Sequence, residues 1–461
     1  MLVGVAEDFV RQPDLVSAKA KMTMVRLAGL DSIRVTVIWT PGETAPSANE
    51  SNVLRNLEGA ARLSGVRVIL SVYHFGSRTT PLTDETRAQF AQFTASLART
   101  HTGFRDFIIG NEPNLNRFWL PQFNPDGSNA AAPAYLQLLA QTYDALKAVS
   151  PAINVIGGAV SPRGGDRPGT GRDTHSPTKF IRDLGIAYRA SGRTVPVMNQ
   201  FAFHPYGDNS SQAPKDSAHP NTTSIGLADY PKLVALLGEA FDGTAQAGST
   251  LPILYDEFGV ESQIPPAKES LYTGTEPATI RPVDETTQGA YYRQAIELAF
   301  CQPNVVGILL FHLQDEKERL GWQSGAYYVD GTPKTNLPVW PAVAQASRRG
   351  IVARCEGLAL SPKVRRFRTP TGSVRATKPV EFRLDCHIDC LYTARLEQLA
   401  SGNAVLTKRG VSVGRVLTVV RFPLRPNLRP GAYRITLELV APVNAGPPVT
   451  AVSRSFTIRR L

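Results

Sequence analysis

The chain is poor in cysteine, methionine and tryptophan, with four of each in 461 residues. Cys301, Cys355, Cys386 and Cys390 do not fix a redox compartment, although three fall near or within the C-terminal region and could pair there. The segment CHIDC, residues 386–390, holds two thiols and an imidazole. Cys-x₃-Cys with no second pair is poor zinc spacing, so a disulfide involving Cys355 or a pair of free thiols is expected instead. Long apolar runs are also missing. None approaches the roughly 18 to 20 residues that a bilayer span requires, which excludes a transmembrane role. The opening MLVGVAEDFV has neither the cationic start nor the apolar core of a secretory leader. A secreted or cell-surface location stays open, because a start that omits a leader would read the same. The glycine-rich RGGDRPGTGR lacks the Gly-Lys-Ser/Thr ending of a phosphate loop and reads as a surface loop. Residues 204–219 give no metal-binding spacing, so no cofactor, metal or nucleic-acid partner is expected.

What is present describes a folded chain of more than one domain. With 42% hydrophobic and 19% charged residues it is not disordered. Its length is about three times that of a usual domain. The formal net charge of +11 is uneven. Residues 351–461 hold 19 Lys+Arg against 6 Asp+Glu, whereas residues 1–350 hold 31 against 33. The ordinary reading is a solvated arginine-rich surface; the alternative is a basic domain that meets an anionic cell surface or polysaccharide.

Residues 1–350 contain eight short apolar runs bounded by turn signals: LVGVAE (2–7), SIRVTVIW (32–39), VRVILSVY (66–73), DFIIGN (106–111), INVIGGAV (153–160), QFAFHPY (200–206), PILYDEF (252–258) and VVGILLFHL (305–313). They are nearly continuous in Val, Ile, Leu and Phe, as strands buried on both faces are. Between them lie segments of helical period such as TRAQFAQFTASLARTH and PAYLQLLAQTYDALKAVS. Eight strand-then-helix units over about 350 residues predict an α/β fold, a (β/α)₈ TIM barrel. An open doubly wound sheet would carry a glycine-rich turn after its first strand, where this chain has Glu7-Asp8-Phe9. Near residue 352 the helical period stops. PVEFRLDC, RVLTVVRFPL, GAYRITLELV and SRSFTIRR alternate between turns, which predicts a small all-β sandwich of immunoglobulin-like size. The expected domains are a catalytic barrel at 1–352 and a basic accessory sandwich at 353–461. All four tryptophans precede the sandwich, so it has no indole platform for sugar stacking.

Catalytic groups of such a barrel stand at the C-terminal ends of its strands. Two ends present a glutamate: Glu112 in IIGNEPN and Glu257 in ILYDEFG. Two carboxyls facing one cavity are the equipment for glycosidic cleavage, one protonating the leaving oxygen and the other attacking the anomeric carbon or activating water. IIGNEPN after the fourth strand, HPYG after the sixth and DEFG at the seventh resemble the clan of retaining glycoside hydrolases with a (β/α)₈ barrel, which includes the cellulase-like family 5 and the β-xylosidase-like family 39. The resemblance spans essentially all of residues 1–350. It implies Glu112 as acid/base, Glu257 as nucleophile, and Asn111 as a hydrogen-bonding partner of the sugar 2-hydroxyl. His204 and Tyr206 would hold the nucleophile and the sugar. Arg34 and His74 also match, with the arginine keeping Glu257 ionised. The segment YYVDGTPKTNLPVW resembles the last loop of these enzymes.

Two features depart from that pattern. The eighth strand reads LLFHLQD where the clan commonly ends in tryptophan, leaving Phe311, His312 and Trp322 of the following loop to shape the sugar site. Asp256 and Glu261 flank Glu257, and strand alternation should turn Asp256 and Glu257 to opposite faces. Trp119, seven residues past Glu112, is either a sugar-stacking wall or a buried loop anchor. The expectation is a glycosidase acting on a carbohydrate. The competing reading is a catalytically silent carbohydrate-binding barrel anchored by its basic domain. Metal-dependent hydrolysis lacks a clustered His/Asp ligand set.

Overall fold

The eight apolar runs form eight parallel strands: β1 Leu2–Ala6, β2 Ser32–Trp39, β3 Arg67–His74, β4 Asp106–Ile109, β5 Asn154–Val160, β6 Gln200–Phe203, β7 Ile253–Phe258 and β8 Val305–Phe311. The computed structural model describes residues 1–376, 378–423 and 428–460. Two units make up the chain, Met1–Ala344 and Gln345–Leu461. In the first, strands pair in sequence order and β1 closes on β8, Leu2 opposite Gly307, giving a closed barrel. The alternating helices are α1 Leu15–Leu27, α2 Ala48–Ser64, α3 Asp84–Thr100, α4 Ala131–Val149, α5 Pro177–Ala190, α6 Tyr230–Phe241, α7 Glu285–Phe300 and α8 Val339–Arg349.

Local chemistry starts and stops these helices. Ser47 accepts from the Glu50 amide at the start of α2, Ser176 precedes Pro177 at the start of α5, and Asp284 caps α7 through Thr287. Side chains of helical period turn inward, as Phe90, Phe93 and Leu97 of α3 do. Ile69, Ile108, Ile156, Ala202, Leu254 and Leu309, one from each of six strands, fill the barrel interior. Four strands end earlier than their apolar runs suggest, at Ala6, Ile109, Phe203 and Phe311. The remaining residues of each run, including Asn111, His204, Tyr206 and His312, leave the ladder to build the barrel mouth.

The second unit contains β9 Val364–Arg368, β10 Ser373–Arg375, β11 Val380–Cys386, β12 Cys390–Gln398, β13 Ala404–Ser412, β14 Thr418–Phe422, β15 Gly431–Val440, β16 Val449–Val452 and β17 Phe456–Arg459. The last residue of RVLTVVRFPL lies outside the described residues. One sheet runs β10-β17-β15-β12-β13, with β16 also on β15, and the other runs β14-β11-β9. Phe382 and Phe422 of the smaller sheet share one apolar core with Leu396, Ile435, Leu437 and Phe456 of the larger, a β-sandwich. The expectation for CHIDC is corrected: Cys386 and Cys390 are disulfide-bonded to each other, and no cysteine among the described residues is free. That bond joins the end of β11 to the start of β12, where the chain passes from one sheet to the other.

At Gly4 the backbone of β1 lies against Ser32, and an added methyl would press into the Ser32 hydroxyl and carbonyl oxygen and the Leu309 side chain. Gly4→Ala is therefore expected to destabilise the barrel by about 1–3 kcal/mol, because a ladder strand cannot retreat locally. A lower urea midpoint at unchanged slope checks this, and an unchanged midpoint rejects it.

Candidate active site

The segment Gly110-Asn111-Glu112 leaves β4 through two left-handed residues, Gly110 at φ +86° and Glu112 at φ +39°. Such a conformation is costly for a glutamate and persists only where its surroundings enforce it. Here the Glu112 amide donates to Ala159 O at 2.8 Å and the Gly110 amide to Val72 O at 2.9 Å. Beneath them Tyr135 of α4 donates its hydroxyl to Ile109 O and accepts from the Gly158 amide, both at 2.7 Å. The acid-bearing turn is thus tied to β3, β5 and α4 by backbone and side-chain bonds.

Arg34 of β2 is 4% exposed and reaches across the barrel mouth. Its guanidinium donates to Glu257 Oε1, to Asn111 Oδ1 at 2.7 Å and to Ser71 Oγ at 3.1 Å, and its Nε lies 3.5 Å from Asp256 Oδ2. Tyr206 donates to Glu257 Oε2 at 2.9 Å. His204 Nδ1 lies 3.0 Å from Glu112 Oε1 and 3.4 Å from Glu257 Oε2, while its Nε2 lies 3.3 Å from Asp256 Oδ2. Arg34, Asn111, Glu112, His204, Tyr206 and Glu257 therefore form one connected group.

The expectation that Asp256 and Glu257 face opposite ways is corrected. The register of β7 against β8 shifts between Tyr255 and Phe258, and this bulge lets both carboxylates reach Arg34 and His204. Only Glu257 lines the cleft; Asp256 is fully buried beneath it.

Burial by itself would raise the pKa of Glu257, but the charges of His204 and Arg34 and the hydrogen bonds from Arg34 and Tyr206 bring it down to about 2. Burial would lower that of His204, yet Glu257 and Asp256 outweigh it and push the imidazole up to about 10, so it is a cation at neutral pH. Burial and Glu257 raise the Tyr206 phenol, which keeps the proton it donates. Glu261 is buried away from Arg34 and His204 and is pushed up to about 8 by burial and then by neighbouring acids, Glu276 first.

Above this group lies a cleft of about 400 Å³ lined by Arg34, Asn111, Glu112, Tyr206, Glu257, His312 and Trp322. Past Glu112, Tyr206 and Trp322, which line both parts, it continues into a second lobe of about 300 Å³ that contains Glu261 and Asp208. The Trp322 ring lies 4.9 Å from that of Tyr206 and 5.4 Å from that of Phe311, so loop tryptophan and strand-end phenylalanine together make the aromatic wall. His312 is held by Ala6 O at 2.9 Å.

Three expected substrate contacts do not line the cleft; one is His204, which is fully buried against Glu112, Asp256 and Glu257. His74 donates from Nε2 to Phe118 O at 2.6 Å, and burial drops its pKa to about 4, so it braces the loop that lines the cleft and does not line the cleft itself. Trp119 is 1% exposed, edge-on to His74 at 5.5 Å and to Tyr135 at 5.8 Å, which makes it a loop anchor with no face open to a sugar. Sequence reading passed over Glu7, Asp8 and Tyr73, which line the cleft from the ends of β1 and β3, and Thr36, which lines it from within β2. The position of the first three at strand ends was the available signal; Thr36 carried none. Arg117 and Glu316 line it from loops and carried none.

No protein-family model matches the chain, and no curated protein sequence does. Solved structures do. A GH5_18 variant from Streptomyces cattleya, in complex with Manb1-4GlcNAc, is 16% identical over 82% of this chain and 85% of its own, with a TM-score of 0.52. A glucosidase from Croceicoccus marinus is 11% identical over 91% of this chain and 92% of its own, with a TM-score of 0.51. A beta-glucuronidase from Bacteroides uniformis is 11% identical with a TM-score of 0.48, and this chain, 99% covered, spans 46% of its length. At these identities the likeness is one of architecture: the chain has the barrel fold of the Streptomyces and Croceicoccus structures.

Proposed function

We propose that the chain is a retaining glycoside hydrolase that cleaves β-linked oligo- or polysaccharides by double displacement, with Glu257 as nucleophile and Glu112 as acid/base. The observation that carries this reading is that both carboxyls reach one nitrogen, His204 Nδ1, at the mouth of the barrel. Two carboxyls in contact with one nitrogen are close neighbours, which supports the spacing of about 5–5.5 Å that a retaining pair uses. In the first step Glu257 attacks the anomeric carbon while Glu112 gives its proton to the departing oxygen. In the second, water attacks that carbon, yields a proton to Glu112 and releases Glu257. Because Glu257 lines only the first lobe and Glu112 lines both, the cleaved sugar belongs in the first lobe and the leaving group in the second. With its oxygen held by Arg34, Asn111 has its amide hydrogens left for the sugar 2-hydroxyl.

In the second unit Arg368 of β9 stands opposite Arg383 of β11; Glu381, 3.7 Å from Arg383, offsets part of that like-charge contact, and an anion would relieve the rest. This supports the reading that the sandwich holds the chain to an anionic polysaccharide.

A panel of aryl and natural β-glycosides tests the activity. Glu257→Ala is expected to lower kcat more than about a thousandfold on every substrate turned over. Glu112→Ala should cost about 10²–10⁴ in kcat/KM on natural glycosides and far less in kcat/KM on dinitrophenyl glycosides, whose leaving group needs no proton. Equal losses on both substrates would sink the acid/base role. Tyr206→Phe removes a donor that holds Glu257 ionised, so its pKa rises and the acid limb of kcat/KM moves to higher pH; a limb that stays put would separate Tyr206 from the nucleophile. Replacing Arg368 and Arg383 together by Ser should weaken retention on a dextran sulfate matrix, and unchanged retention would return that face to an ordinary solvated surface.

A further inference from the structure

The proposed reaction moves one negative charge. Before it, Glu257 is ionised and Glu112 holds a proton. In the glycosyl-enzyme Glu257 is an ester and Glu112, having given its proton to the leaving oxygen, is the carboxylate. Both groups meet the same Nδ1 of His204, at 3.0 Å and 3.4 Å, so the charge travels from one side of that nitrogen to the other. The opposite nitrogen, Nε2, lies 3.3 Å from Asp256 Oδ2. Asp256 is fully buried, and apart from Nε2 its charged neighbour is Arg34 Nε at 3.5 Å.

An imidazolium flanked in this way has a choice. It can keep both protons, or it can pass the Nδ1 proton to an ionised carboxylate, leaving two neutral groups; Glu257, which also accepts from Arg34 and Tyr206, resists that proton, whereas Glu112 is the readier taker. The second outcome protonates Glu112 in the glycosyl-enzyme, where it has to accept a proton from water.

We propose that Asp256 is a positioning residue that fixes His204 as a cation throughout the cycle, so that its Nδ1–H follows the negative charge from Glu257 to Glu112 without being given up. This rests on the glycosidase reading above. The charged and titratable groups facing His204 are Glu112 after β4, Tyr206 on its own segment, and Asp256 and Glu257 of β7, with Arg34 of β2 against the two β7 carboxylates. Of these, Asp256 alone neither touches the cleft nor changes charge in the reaction, and it sits on the nitrogen away from the chemistry. With Asp256 charged beneath it, losing the Nδ1 proton would leave a buried carboxylate facing a neutral ring, which low-polarity surroundings disfavour.

The competing role is that Asp256 only balances Arg34. In that case its loss disturbs Glu257, and hence formation of the glycosyl-enzyme. The two differ in which step slows. For Asp256→Asn on a dinitrophenyl glycoside, where release of the covalent intermediate limits turnover, kcat is expected to fall by about tenfold or more while kcat/KM changes by less than about threefold, and a burst of dinitrophenol should appear. Equal falls in both constants, or a fall in kcat/KM alone, overturn the proposal.

A second readout needs no activity. Carbon-13 ring signals of His204, identified by their loss in His204→Gln, should show an imidazolium past neutral pH in the resting protein, and a pKa lower by about 1–3 units in Asp256→Asn. A signal that titrates alike in both proteins rejects the proposal. Should no glycoside be turned over while the ring titration shifts as expected, the charge relation stands and the glycosidase reading fails.

Discussion

A single buried cation sets the terms for everything at the mouth of the barrel. Arg34 comes from β2, yet it bonds or pairs with Ser71 on β3, Asn111 beyond β4, and Asp256 and Glu257 on β7. A guanidinium shut away from water is tolerable only with acceptors around it, so three separate segments of chain are obliged to converge on it. That convergence decides which way the Asn111 amide points, which oxygen of Glu257 is occupied, and why a second carboxylate is admitted directly beneath the first.

Around that cation the local electrostatics run against the global ones. The chain as a whole carries +11, but the cleft above Arg34 is lined by Glu7, Asp8, Glu112, Glu257 and Glu316. The ionisation of Glu257 therefore owes nothing to net charge and everything to two cations and two donors within hydrogen-bonding range, in surroundings where such contacts count for far more than in water. His204 matters in the same way. Its Nδ1 lies within 3.4 Å of both carboxyls and its Nε2 lies 3.3 Å from Asp256, so three acids and one base form one cluster.

Much of this arrangement was legible in the sequence because it follows from periodicity. Eight β-rich runs separated by helical segments dictate a closed parallel barrel, and the barrel dictates that Arg34, Asn111, Glu112, His204, Tyr206 and Glu257 share one end. What escaped was set by packing at single residues. His74 and Trp119 occupy the same stretch of barrel rim as the site residues, and nothing in their spacing tells a ring that faces the cleft from one that faces a loop. The bulge in β7 hides behind a regular apolar run, so alternation misplaced Asp256. CHIDC was ambiguous because its two sulfurs meet only once β11 and β12 are assigned to different sheets.

The phenol of Tyr135 has a reach that its position belies. It stands on the outer helix layer, wholly hidden from solvent, yet it clasps the carbonyl just before the turn that carries Glu112 and the amide next to Ala159, which receives the Glu112 N–H. The strained backbone at Glu112 is thus braced from outside the barrel. The placement of the Glu112 carboxyl is set in a stratum that does not line the cleft, and fine adjustment of the cleft can be inherited through changes in the surrounding helices while every group that lines it stays the same.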